Sequence, residues 1–170
     1  GMIIIDKGHA ERLESALHMA GAIRDNGTVN TDFGASLYIL TGLPSVYDRV
    51  QQYIHNGWLD FGPMLRMALS GGEKILVELA GNLYNGSFFI GYTPEDIVSQ
   101  CDSDMVELAV TAIWLRKQKL HYSEVCGVWY DASGTKDALR IFAERKGPEI
   151  PEMAQEFPAG ASIFAKSAQK

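Results

Sequence analysis

The order of apolar and polar positions along the chain predicts a mainly helical protein. Residues 102–121, DSDMVELAVTAIWLRKQKLH, form the longest stretch in which apolar side chains leave little room for a polar face. A helix that is apolar nearly all round is usually surrounded by other helices. Asp102 or Ser103 can cap its beginning, and basic residues gather near its end. We therefore expect residues 102–121 to form a buried central helix, with Trp114 inside the protein.

Shorter helical patterns precede this stretch. Residues 9–24 carry apolar side chains at helical spacing, which predicts a helix, and Asp-Asn-Gly at 25–27 ends it. A second helix starts at Thr31 or Asp32 and ends before Pro44, which opens a third helix that runs to Asn-Gly at 56–57. Further helices are predicted over residues 60–69, 73–84 and 93–100.

These helices group into three short–long pairs, near residues 32–57, 60–86 and 93–121. Asp-Phe-Gly at 32–34 aligns with Asp-Phe-Gly at 60–62, and both units end in Asn-Gly. Stacked repeats of one unit can build a helical domain, although recurring helix stops produce the same pattern without duplication. The rest of the protein-kinase signature that contains Asp-Phe-Gly is absent. The predicted fold is helical pairs packed around the central helix.

The character of the chain changes after residue 121. Residues 124–130, EVCGVWY, have strand composition and could pair with residues 2–5 in a minor two-stranded sheet. Residues 135–146 predict a final helix with an apolar side made by Ala138, Leu139, Ile141 and Phe142.

The domain organisation follows from these elements. We expect residues 2–146 to form one helical domain and residues 147–170, which contain three prolines, to form an extended tail. The tail keeps several large apolar side chains, including Phe157 and Phe164, so part of it should dock on its own core or on a neighbour.

Composition narrows the classes of function. The chain has 170 residues, 46% of them hydrophobic, which is enough for one domain with a real core. No apolar run reaches the roughly 18 residues of a membrane span, and the opening MIIID is too short for a signal peptide. A cytoplasmic protein without a membrane partner is therefore expected. The formal net charge of −6 argues against nucleic-acid binding, which depends on neutralising phosphates.

Glu11, Glu14 and His18 form the best candidate for a metal site. Their spacing of i, i+3 and i+7 puts two carboxylates and an imidazole on one helix face, as half of a site that a second helix would complete. The alternative is a solvated face, because Leu13 and Leu17 already define the buried side of this helix.

Other catalytic signals are sparse. Ser133, Gly134 and Thr135 open the last predicted helix, where free amides could bind an anion or simply cap the helix. The two cysteines, Cys101 and Cys126, have no metal-site spacing and are interpreted as free thiols. No nucleophile motif occurs, and we expect no cofactor.

These observations favour a non-enzymatic protein–protein interaction or assembly module that self-associates. Aromatic residues are enriched at binding hot spots, and Trp58, which follows a turn, is the candidate interface residue in the body of the protein. Phe157 and Phe164 are the candidates in the tail. The alternative is a small enzyme, or a ligand- or metal-binding protein, with its site between helical pairs.

Three segments carry a resemblance to a family. They are ASLYILT at 35–41, LDFGPMLRMALSGGEKILVELAGNLYNG at 59–86 and AIWLRKQ at 112–118. These segments resemble short, uncharacterised helical proteins of Gram-positive bacteria that often lie in mobile elements. The resemblance covers residues 32–121 and implies a bacterial helical protein, but it carries over no activity and no catalytic residue.

Overall fold

The structure is a computed structural model that describes residues 8–117 and the backbone of residues 120–123 and 128–131. It is mainly helical, as predicted, with small antiparallel sheets. Its elements in chain order are α1 (His9–Met19), β1 (Thr28–Val29), α2 (Thr31–Thr41), α3 (Pro44–Val50), a 3-10 turn (Gln51–Tyr53), β2 (Ile54–His55), β3 (Trp58–Leu59), α4 (Phe61–Leu65), α5 (Gly71–Tyr84), α6 (Pro94–Gln100), α7 (Ser103–Lys117), β4 (Leu120–Ser123) and β5 (Val128–Asp131).

The central helix is α2. Every residue from Phe33 to Thr41 is buried, and α1, α3, α5 and α7 all pack against this helix. After Asp32 the helix carries no charged side chain, so each of its sides can face another helix without burying a charge. The architecture of helices around a buried helix is confirmed, but the predicted centre, residues 102–121, was the wrong helix.

Helix α7 is buried on one side only. Leu108, Ala112 and Leu115 face the core formed with α2 and α5. The opposite side is open, and Trp114 is 49% exposed, so the prediction that Trp114 lies inside the protein was wrong. The helix also ends at Lys117, because Leu120–Ser123 leave the helical path and form the middle strand of a sheet.

That sheet has the order β1-β4-β5 and is antiparallel throughout. Thr28 pairs with His121, and Leu120 pairs with Asp131. The predicted strand near residues 124–130 is therefore present as β5, and its partner is β4. The proposed pairing with residues 2–5, the helix over residues 135–146 and the tail all lie outside the described residues.

Two helix ends differ from the prediction because the chain turns to admit the β2–β3 hairpin. Helix α1 ends at Met19, and Gly21 adopts a positive φ of 64°. A Cβ atom at Gly21 would collide with Oδ1 of Asn56, so glycine allows the hairpin to approach. Asn56-Gly57 is accordingly the hairpin turn, not the end of a long third helix.

The three predicted short–long pairs are present in part. Helices α4–α5 and α6–α7 follow that order, but in the first unit the long helix α2 precedes the short helix α3. The two Asp-Phe-Gly phenylalanines nevertheless share a partner. The ring centroids of Phe33 and Phe61 lie 5.4 and 5.6 Å from that of Tyr84. Both motifs therefore supply core side chains.

A capping box of Ser70 and Glu73 starts α5. The Ser70 backbone N–H donates a hydrogen bond to the Glu73 carboxylate, and the hydroxyls of Ser70 and Ser45 also hydrogen-bond to it. Because these bonds favour the ionised form, they lower the pKa of Glu73 below its ordinary value of 4.5. The ionised carboxylate therefore stabilises the fold above that pH, and the contribution disappears as the pH falls through the lowered pKa. Replacing Glu73 by alanine should cost about 0.3–1.5 kcal/mol at pH 7.

Urea unfolding of both proteins from pH 7 down to pH 3 measures this effect. The stability margin of the wild type over Glu73→Ala should narrow below pH 4.5. A margin that stays constant over this range would contradict a stabilising role of the ionised carboxylate.

Candidate interaction surfaces

The β2–β3 hairpin presents two aromatic rings to solvent. In its register, Ile54 pairs with Leu59 and His55 pairs with Trp58. Because residues in register share one face of a hairpin, Ile54 and Leu59 are both buried while the other pair faces outward. The His55 and Trp58 rings stack with centroids 4.6 Å apart and planes inclined by 24°, and Trp58 is 48% exposed.

Two hydrogen bonds, from Gly57 and Leu59, fix the hairpin to the helical body, and a third closes the base of the hairpin. The Gly57 backbone N–H donates to the Ala20 carbonyl at 2.9 Å, and the Asp60 N–H donates to the Tyr53 carbonyl at 2.9 Å. The Leu59 N–H donates to the hydroxyl of Tyr84 at 3.2 Å. Trp58 therefore stands on a backbone held from both ends, so little conformational entropy remains to be lost when it binds.

The two chain segments that form the hairpin surface carry no full charge. Residues 50–59 and residues 18–23, which meet at the bond between Gly57 and Ala20, contain no Asp, Glu, Lys or Arg. Met19, directly before Ala20, is itself 38% exposed. We call Met19, His55 and Trp58 the hairpin surface. An exposed aromatic centre depleted of charge has the composition of an interface core.

A second apolar surface lies on α7. Val110, Ile113 and Trp114 are between 49% and 61% exposed, and the half-buried Val106 continues their line by one helical turn. We call these four residues the outer face of α7. Their spacing of i, i+4, i+7 and i+8 puts them on the side opposite Leu108. Together with the buried side of α7, these four residues make the helix apolar on two sides. This is why the sequence pattern predicted a fully buried helix.

Arg116 has a structural role at the end of α7. Its guanidinium bonds the Leu83 carbonyl at 3.0 Å and forms an ion pair with Asp32 at 2.8 Å. This one side chain joins the end of α7 to the end of α5 and the beginning of α2. Arg116, one of the basic residues near the end of this helix, thus provides a helix-end contact.

The predicted metal ligands lie on the solvent side of α1. Glu11 and His18 are exposed and Glu14 is half-buried. In the described part of the chain, no group of three or more His, Cys, Asp or Glu side chains is arranged to hold a metal ion. The second half of that site is therefore not found among residues 8–117, and the metal hypothesis stays a prediction.

Several candidates lie beyond what the structure describes. The anion-binding candidates Ser133, Gly134 and Thr135 are among them, as are Cys126 and the tail residues Phe157 and Phe164. No structural result bears on them, and they stay predictions.

Cys101 and Tyr92 are two partly buried groups whose pKa values are raised. Burial raises the pKa of the Cys101 thiol, and the nearby Asp102 raises it further. Burial also raises the pKa of Tyr92, with smaller contributions from Glu78 and Cys101. Because both groups stay protonated at neutral pH, neither is an activated nucleophile.

Comparison of the chain with protein-family models, curated proteins and solved structures found no match. The resemblance to Gram-positive helical proteins therefore stays a prediction. No helix in the described residues combines the length and the hydrophobicity that crossing a membrane requires.

Proposed function

We propose that this protein is a protein–protein interaction module that self-associates through the hairpin surface. The observation that supports the proposal is Trp58, half exposed and stacked on His55 on a backbone that is fixed in place. Tryptophan is among the residues that most often dominate binding energy, and a rigid aromatic loses little entropy when it is covered.

The distribution of charge supports a second copy of this chain as the partner at the hairpin surface. Two copies, each with a formal net charge of −6, repel one another at most orientations. The segments that form the hairpin surface, residues 18–23 and 50–59, have no acidic side chain, so two copies that meet there bring no carboxylates of these segments together. A two-fold arrangement would bring the same residues of each copy together, as in most homodimers.

Sedimentation velocity over a hundredfold range of concentration tests this proposal. The wild type should form a dimer, and Trp58→Ala should weaken the dimer by about 30-fold or more in Kd, which corresponds to a hot-spot loss of about 2 kcal/mol. Phe89→Ala is the matched control, because Phe89 is an aromatic residue that is 87% exposed but does not belong to the hairpin surface, and the Kd of this variant should equal that of the wild type.

Two outcomes would count against the proposal. A wild type that stays monomeric at every concentration would remove self-association. A dimer with the same Kd in the wild type and in Trp58→Ala would place the interface elsewhere on the protein.

A further inference from the structure

Met19 places an oxidisable thioether in the hairpin surface, where its side chain is 38% exposed. Of the other methionines in residues 8–117, Met64 is fully buried, and Met67 and Met105 are half-buried and pack against the core. We propose that Met19 is a modification site, at which oxidation to the sulfoxide by a peroxide weakens self-association. This role rests on the proposed function, because the modified sulfur acts at the same surface.

Met19 lies within the area that a second copy would cover. The Gly57 backbone N–H donates to the Ala20 carbonyl at 2.9 Å, so Met19 and Trp58 are each one residue away from the bonded pair. Bond lengths along this path keep the Cα atoms of Met19 and Trp58 within about 15 Å of each other. A standard interface covers about 800 Å² per partner, a patch with a radius of about 16 Å. An interface centred on Trp58 therefore includes Met19.

Oxidation changes the polarity of this covered position. A thioether is apolar and flexible and fills irregular gaps in an interface, whereas the sulfoxide is polar and accepts hydrogen bonds. Residues 18–23 and 50–59 contain no Lys or Arg, the side chains that donate the strongest hydrogen bonds. The sulfoxide oxygen would thus lose water without gaining a charged donor from these segments, which opposes association.

The modification is an oxygen transfer that can be reversed. The Met19 sulfur attacks one oxygen of hydrogen peroxide, the S–O bond forms as the O–O bond breaks, and water leaves after a proton moves to the departing oxygen. Sulfur loses two electrons and the peroxide gains them. Methionine sulfoxide reductases, one for each epimer of the sulfoxide, restore the thioether. Two thiols are then oxidised to a disulfide, and the oxygen leaves as water.

Sedimentation velocity of the full chain before and after treatment with hydrogen peroxide tests this role, with peptide mass spectrometry to locate each sulfoxide. Treatment should raise the Kd of the wild-type dimer about tenfold or more, as expected when a polar group is covered without a compensating hydrogen bond. Dithiothreitol alone, which returns reversibly oxidised cysteines to thiols, should not restore the Kd. Dithiothreitol with both sulfoxide reductases should restore it.

Two variants assign the effect to one sulfur. Met19→Leu has no sulfur at this position, so its Kd, compared only with itself, should be the same before and after treatment. Met67→Leu is the matched control, since it removes a half-buried methionine outside the hairpin surface, and its dimer should weaken on treatment as the wild-type dimer does. Met19→Gln introduces a polar amide and should weaken the dimer without any peroxide.

Three results would overturn the role of Met19 and leave the proposed function standing, provided that Trp58→Ala still weakens the dimer. One is a response to peroxide that persists in Met19→Leu. Another is an oxidised Met19 in a protein that keeps the Kd of the untreated wild type. The third is a Met19 that stays unoxidised while Met67 is converted to the sulfoxide. A wild type that is monomeric before treatment would remove the proposed function and this role with it.

Discussion

Replacing Phe61 by alanine should cost about 3–5 kcal/mol of folding free energy, the range found for a large aromatic lost from a core. Phe61 is 1% exposed, and its ring lies 5.6 Å from Tyr84 and 6.0 Å from Phe88, measured between centroids. Gly81 of α5 also faces the ring, where a Cβ would be 3.2 Å from Cδ1 of Phe61. Removing the ring would leave a cavity between α4 and α5 that these neighbours fill only in part.

Thermal and urea unfolding measure this loss. For a domain of this size it corresponds to a fall in Tm of about 6–20 °C, out of a total stability of about 5–15 kcal/mol. Phe89→Ala removes the same ring from a position that is 87% exposed and should change stability by less than about 0.5 kcal/mol. Equal effects of the two substitutions would contradict the placement of the Asp-Phe-Gly motif in the core.

The sequence predicted the beginnings of helices better than their ends. Thr93 and Pro94 begin α6 and Pro44 begins α3 as predicted, since a cap or a proline acts locally and leaves a clear residue signal. Helix α1 was predicted to run to residue 24 but ends at Met19. Its end depends on Asn56 of the distant hairpin lying against Gly21, a contact that local sequence does not show.

The identity of the central helix was predicted incorrectly for a related reason. Residues 102–121 are apolar on two sides, and the pattern does not distinguish a helix that is covered on both sides from one, such as α7, whose second side is exposed. Helix α2 is shorter but is buried from Phe33 to Thr41, because α1, α3, α5 and α7 all pack against it. The length of the apolar stretch alone therefore selected the wrong helix as the centre.

Of the candidate sites, the exposure of Trp58 was predicted correctly, because it follows an Asn-Gly turn. Its pairing with His55 was missed, since the spacing of apolar residues favours a helix that runs through Ile54. The two residues belong to a hairpin of two short strands, in which alternate side chains face opposite ways. A two-residue strand gives almost no periodic signal in sequence, so only the folded chain brings these two rings together.

The substitution Gly42→Ala should destabilise the protein by about 1–3 kcal/mol, the usual cost of overpacking a core. Gly42 ends α2 with an ordinary φ of −77°, so backbone strain plays no part. The reason is space. A Cβ there would lie 2.6 Å from Cδ1 of Leu108 and 3.1 Å from Cε1 of His9, and both of these side chains are almost fully buried.

Gly86→Ala is the matched control, because nothing lies within 4 Å of its added Cβ. It should be neutral, or stabilising by up to about 1 kcal/mol through the lower entropy of the unfolded chain. A double-mutant cycle separates crowding from other causes: in a Leu108→Ala background, Gly42→Ala should cost less than it does in the wild type. If Gly42→Ala lowered the free energy of unfolding equally in both backgrounds, a clash with Leu108 would not be the reason that residue 42 has to be glycine. The close approach of α7 to the end of the central helix would then need a physical cause other than the missing Cβ of Gly42.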